Sequence, residues 1–222
     1  MNTNRKSLLL SMLKASGGLV VFTLGVYMTI QSSIGTGAWE VFELGAAAHL
    51  PLSYGDISLI VSAILITIDV LLKEHIGLGT ILDAIICGKV MDLFLWLGFI
   101  PKPQSPLLGY PMLFAGLFIM AFGQFLYMRT GLGCGPRDSL MIALGKRVRH
   151  VPIGAVTIAI QVTVLTLGIL LDGPFGVGTV IFVFGLGIVM QITFHFLKFE
   201  PRNIQQQDAL TSLRILFGKR RQ

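Results

Sequence analysis

The residues best equipped for chemistry in this chain are ionisable or strongly polar groups set inside apolar runs. The stretch 131–139, Gly-Leu-Gly-Cys-Gly-Pro-Arg-Asp-Ser, carries Arg137 and Asp138. An earlier stretch, 33–41, reads Ser-Ile-Gly-Thr-Gly-Ala-Trp-Glu-Val and carries Trp39 and Glu40, with a second acid, Glu43, one helical turn on. A third apolar run holds Asp83, Lys89 and Asp92; others hold Gln124, and Gln191 with His195. A charge at the centre of a bilayer costs about 2.5–3.5 kcal/mol even on a lenient insertion scale, so such groups must face protein or water. The chemistry they suggest is solute binding or ion coupling.

The two Gly-rich stretches read as places where a helix breaks and restarts. Glycine supplies backbone freedom, and Pro136 suits the first turn of the new helix because its missing N–H would go unpaired there anyway. A restarted helix offers free N–H groups and a positive dipole end to an anion, but Glu40 and Asp138 can cap those ends themselves. Recurrence in both stretches favours a functional role over capping. Lys89 and Asp92, three residues apart, are expected to pair on one helix face. Overlaying the two halves of the chain sets Asp92 against Gln191 and Trp96 against His195, which predicts a polar cavity between those segments. The competing reading is an interhelical tie that only holds a bundle together, and Gln161, Thr163 and Thr166 are expected to act as such ties. Asp69 with Lys73, and Asp56, are expected to be ordinary interfacial charges.

No catalytic constellation is present: His-Glu-x-x-His, Gly-x-Ser-x-Gly and a phosphate-loop Gly-Lys-Ser/Thr are all missing, and the histidines are scattered. Cys87 and Cys134 have no metal-ligand spacing. The chain is therefore expected to be no enzyme, with no metal and no cofactor.

The elements that position these residues follow from composition and periodicity. With 54% hydrophobic and 13% charged residues and a mean hydropathy of +0.80, the chain is expected to be an all-α integral membrane protein. Six apolar windows are long enough to cross hydrocarbon as helices, at 15–32, 55–72, 80–99, 107–128, 153–171 and 179–196. The segments 38–49 and 136–145 are too short and too charged to cross and read as broken or re-entrant helices after the first span of each half.

The overlay is strong. Gly18, Gly25, Gly35 and Gly37 meet Gly116, Gly123, Gly133 and Gly135, with Glu40 on Asp138; after one inserted residue Gly55, Gly77, Gly79 and Gly88 meet Gly154, Gly176, Gly178 and Gly187. Chance predicts roughly one such glycine pair. With the N-terminus inside, fifteen of the 17 Lys and Arg lie on the cytoplasmic side, Lys102 lies outside and Lys89 within a span. This asymmetry places both termini in the cytoplasm, so the basic excess reports topology and not nucleic-acid binding. Three spans per repeat then require the second repeat to be inverted.

The expected organisation is a cytoplasmic segment 1–14, membrane repeats 15–99 and 107–197 joined by an external Pro-rich connector 100–106, and a basic tail 198–222. In the tail Ala209, Leu210, Leu213, Leu216 and Phe217 share a face that could form an interfacial helix; a solvated tail is the alternative.

The motifs Gly-Thr-Gly-Ala-Trp-Glu, Gly-Leu-Gly-Cys-Gly-Pro-Arg-Asp-Ser and Gly-Lys-Val-Met-Asp resemble those of bacterial YczE/YitT-type integral membrane proteins, over most of residues 15–200. The resemblance implies a small multi-pass protein of the bacterial inner membrane without naming a substrate; the extra soluble C-terminal domain of longer YitT-like members has no counterpart here. The architecture leads to a secondary carrier for a small solute, with the bilayer as partner and a homodimer compatible with it. The alternative is a non-transporting membrane module, either a solute-binding subunit of a larger importer or an accessory factor for a membrane-associated pathway.

Overall fold

The computed structural model describes residues 5–74, 76–147 and 153–200, together with Ala209, Ser212 and Ile215. Among these residues there are eight helices and no strand: α1 (Arg5–Gln31), α2 (Ala38–His49), α3 (Tyr54–Leu71), α4 (Leu78–Leu97), α5 (Pro106–Met128), α6 (Pro136–Arg147), α7 (Ile153–Leu170) and α8 (Val177–Phe196). The all-α expectation holds. Four helices, α1, α3, α5 and α8, are long and apolar enough to cross a membrane. α4 has the length at 20 residues but carries Asp83, Lys89 and Asp92, and α7 is apolar over Ala155–Leu170.

α1 already includes residues 5–14, ahead of the expected apolar window: neither Gly nor Pro interrupts this stretch before Gly17, and Leu8 is already fully buried. α2 and α6, of 12 residues each, are the short helices foreseen after the Gly-rich stretches. The turns that precede them share one backbone course: Ser33 and Gly131 have φ of 57° and 70°, and Gly35 and Gly133 have 117° and 119°. At the last two only glycine avoids strain. The loops before α4 and α8 match as well, with Lys73 and Asp172 at φ of 56° and 55°. Thr80 and Thr179 each accept from the backbone N–H three residues earlier, at Gly77 and Gly176, at 3.3 Å.

The packing is reciprocal. A Cβ built on Gly25 would stand 2.5 Å from the Met120 nitrogen, and the corresponding Gly123 lies against Phe22. Gly18 meets Tyr127, and Gly116 meets Thr29. Positions rising along α1 thus meet positions falling along α5, so these two helices run antiparallel, with backbones close enough that only small residues fit. The turn before α2 receives a hydrogen bond from α8, Gly178 N–H to Ile34 O at 2.7 Å. The turn before α6 receives the matching one from α4, Gly79 N–H to Leu132 O at 2.7 Å.

The connector turns back onto α1, where the Gln31 side-chain amide donates to Ile100 O at 2.7 Å and to the Tyr27 hydroxyl at 2.8 Å. In the tail, Ala209 donates to Ile76 O at 2.8 Å, Ser212 is buried and Ile215 packs on the cluster of Leu8, Leu19 and Tyr127. This face is turned to protein; Leu210, Leu213, Leu216 and Phe217, on which the interfacial-helix expectation rests, lie outside the described residues.

Candidate functional site

A cavity of about 320 Å³ lies where the starts of α2 and α6 approach one another. Both halves of the chain line it at equivalent positions. Trp39 faces it with Arg137, Glu40 with Asp138, Phe22 with Met120, Ser58 with Thr157, Ser62 with Gln161, and Met91 with Met190.

An ion cluster joins the two halves here, built from the feature in which the Gly-rich stretches differ. Arg137, at the start of α6, donates to Glu40 Oε1 at 2.8 Å and to Glu43 Oε1 at 2.5 Å, and its guanidinium lies 5.2 Å from the centre of the Trp39 ring. Glu43 is fully buried and Glu40 nearly so. A planar guanidinium can hold two carboxylates and stack on an indole at once, a geometry an ammonium cannot supply. Tyr54 stands beside Glu43.

The two first-turn acids bind partners on other helices. Glu40, in the first turn of α2, turns to Arg137. Asp138 Oδ2 accepts from Gln124 at 3.2 Å and from the Tyr127 hydroxyl at 3.3 Å, and that hydroxyl accepts from Gly135 N–H at 3.3 Å. Across the cavity, Asp83 on α4 accepts from the Cys87 thiol at 3.2 Å.

Of the residues chosen from the sequence, Trp39, Glu40, Glu43, Asp83, Gln124, Arg137 and Asp138 therefore meet at this site. The other four do not. Lys89 does not pair with Asp92; its ammonium binds Asp56 at the start of α3 at 2.7 Å, with 56% and 41% of the two side chains exposed. Asp92 instead accepts from Ser53 Oγ and Gly55 N–H, both at 2.7 Å. α3 begins beside the middle of α4, so its own start supplies the partners that the three-residue spacing along α4 only suggested. Gln191 and His195 are exposed on α8, because the face turned to the cavity carries Phe182, Val183, Leu186, Gly187 and Met190. The polar cavity expected between these segments does not take in Asp92, Gln191 or His195.

Sequence reasoning misses Tyr54 and Tyr127 and gives Cys87 no role. A tyrosine three residues after Gln124 in an apolar run is the available signal for Tyr127. Gln161, expected to be a tie between helices, lines the cavity. Asp69, expected at an interface, is fully buried with Ser139 of α6 as its polar neighbour; α6 packs over the end of α3 and covers it.

The exposed Lys89–Asp56 pair should contribute little. Lys89→Ala should leave the melting temperature of the detergent-purified protein within about a degree or two of wild type. A large drop would make the pair a structural link between α3 and α4.

Residues 10–195 match the model of a family of unknown function (DUF6198). The chain belongs to this family. Among similar proteins, an uncharacterised protein of Haemophilus influenzae (strain Rd) is 32% identical over 187 residues, covering 82% of this chain and 83% of its own length. The uncharacterised membrane protein YczE of Bacillus subtilis (strain 168) is 28% identical over 195 residues, 85% of this chain and 84% of that protein. YyaS of the same organism is 28% identical over 178 residues, 79% and 88% of the two chains. The expected kinship with YczE-type proteins is thus met. No solved structure matches. Its apolar helices of spanning length make this DUF6198 member a helical membrane protein.

Proposed function

We propose that this chain is a secondary carrier for a small solute, bound in the cavity between two inverted three-span halves. The observation that carries the reading is the pairwise lining: equivalent positions of the two halves, among them Glu40 with Asp138 and Ser58 with Thr157, face one polar site. Carriers built from inverted repeats place their sites in this way, at the repeat interface beside broken helices. The antiparallel course of α1 and α5 and the reciprocal bonds at Gly79 and Gly178 support inversion of the halves. With the buried Arg137 set aside, the fourteen-to-one distribution of the remaining basic residues supports six spans with both termini in the cytoplasm of a bacterial inner membrane.

The test is reconstitution of the purified full chain into liposomes and measurement of uptake across a panel of labelled amines, amino acids, sugars and carboxylates. Saturable uptake of one class, lost in Glu40→Gln and in Asp138→Asn, is expected. No flux from vesicles that hold folded protein, together with co-purification of an ATPase pair from the native membrane, would replace the carrier with a binding subunit. Reporter fusions that place Gln104 in the cytoplasm would overturn the topology.

A further inference from the structure

We propose that the solute taken by this cavity is a small organic cation, an ammonium group carrying an oxygen function a few bonds away. The proposal rests on the carrier reading and names its substrate class.

The charge inventory of the cavity is one-sided. Among the described residues three carboxyl groups line it, Glu40, Asp83 and Asp138, against one cationic side chain, Arg137. Both terminal nitrogens of Arg137 are already engaged by Glu40 and Glu43, and its face lies on Trp39. An anionic solute would have to displace a buried carboxylate to reach it, which is unfavourable because a buried charge stripped of its partner is costly. Asp83 and Asp138 are different. Among the described residues their hydrogen-bond partners are neutral, the Cys87 thiol for one and Gln124 with Tyr127 for the other. They reach the cavity from different helices, so a cation between them would gain two Coulombic contacts.

The walls fit the same ligand. Phe22, Trp39, Tyr54 and Phe182 offer aromatic surface to the cavity, and a desolvated ammonium is attracted to such faces. Trp39 adds a second observation: its Nε1 is buried and has no hydrogen-bond partner among the described residues. Buried indole N–H groups are normally paired, so this unsatisfied donor, on a residue that lines the cavity, is the group that an acceptor oxygen on a bound ligand would satisfy by drawing the indole toward it. The volume, about 320 Å³, is at the small end of ligand sites and suits a metabolite-sized molecule.

The probe is choline, with tetramethylammonium as its oxygen-free counterpart and acetate and glycerol as the anionic and neutral controls. The readout is the fluorescence of Trp39 in a Trp96→Phe background of the full chain, since these are the only tryptophans and Trp96 is 80% exposed, away from the cavity. Choline should give a saturable change and raise the melting temperature, and acetate should do neither. Asp83→Asn and Asp138→Asn should each weaken choline by about tenfold or more. Trp39→Phe, read by melting temperature, should erase the preference for choline over tetramethylammonium. If acetate or glycerol acts as strongly as choline, or if choline at millimolar concentration changes neither signal, the proposal is overturned. Because Trp96→Phe leaves every cavity residue in place, that outcome does not depend on the aspartate variants folding. Cation binding without flux in liposomes would sink the carrier and leave this site standing; flux of an anion or a sugar would do the reverse.

Discussion

Replacing Arg137 by Gln should destabilise the protein by about 3–5 kcal/mol, the usual cost of removing one partner of a buried ion cluster. Glu43 is fully buried and Glu40 is 4% exposed, so both carboxylates lose the partner that offsets their desolvation when the guanidinium is gone. The two would also repel one another. Arg137→Lys should recover only part of the loss, because one ammonium cannot bridge two carboxylates and stack on the Trp39 ring together. The triple variant Arg137→Gln, Glu40→Gln, Glu43→Gln should regain most of the stability, since removing all the charges removes the desolvation penalty with them. Thermal and denaturant melts in a fixed detergent measure the series. Equal stability of wild type and Arg137→Gln would mean that the cluster does not hold α2 to α6.

That cluster shows where sequence reasoning reaches and where it stops. The overlay makes clear that the two Gly-rich stretches are not equivalent: Glu43 has no acidic counterpart in the second, and Arg137 has no basic counterpart in the first. It cannot show that these two departures complete each other, because nothing local links residues 94 positions apart. The broken helices themselves are legible, since the left-handed turns at Gly35 and Gly133 need glycine wherever they are placed.

Lys89 and Asp92 fail for the opposite reason. The spacing rule is sound within one helix, yet α3 arrives with Asp56, Ser53 and the Gly55 N–H and outcompetes it. For Gln191 and His195 the error is rotational: the cavity-facing stripe of α8 ends at Met190, and one further residue turns the side chain by about 100°, out of the site.

Valine substitutions at two glycines test the reciprocity of the halves. A side chain at Gly77 would collide with the carbonyl of Leu132, and one at Gly176 with the carbonyl of Ile34. Each glycine sits beside the matching 2.7 Å bond, Gly79 to Leu132 in one case and Gly178 to Ile34 in the other. Backbone cannot yield as a flexible side chain does, so Gly77→Val and Gly176→Val should each force a helix away from its turn and disrupt that bond. The cost should be about 1–3 kcal/mol or more, from overpacking and lost hydrogen bonding together. The informative quantity is the comparison. If the halves are related by a two-fold axis, the two variants should lower the melting temperature by similar amounts, and Ala at either position should do the same to a smaller degree. A large loss at Gly77 beside a tolerated valine at Gly176 would show that the two crossings, though alike in hydrogen bonding, do not bear equivalent packing. The carrier reading would then lose the symmetry from which it is argued.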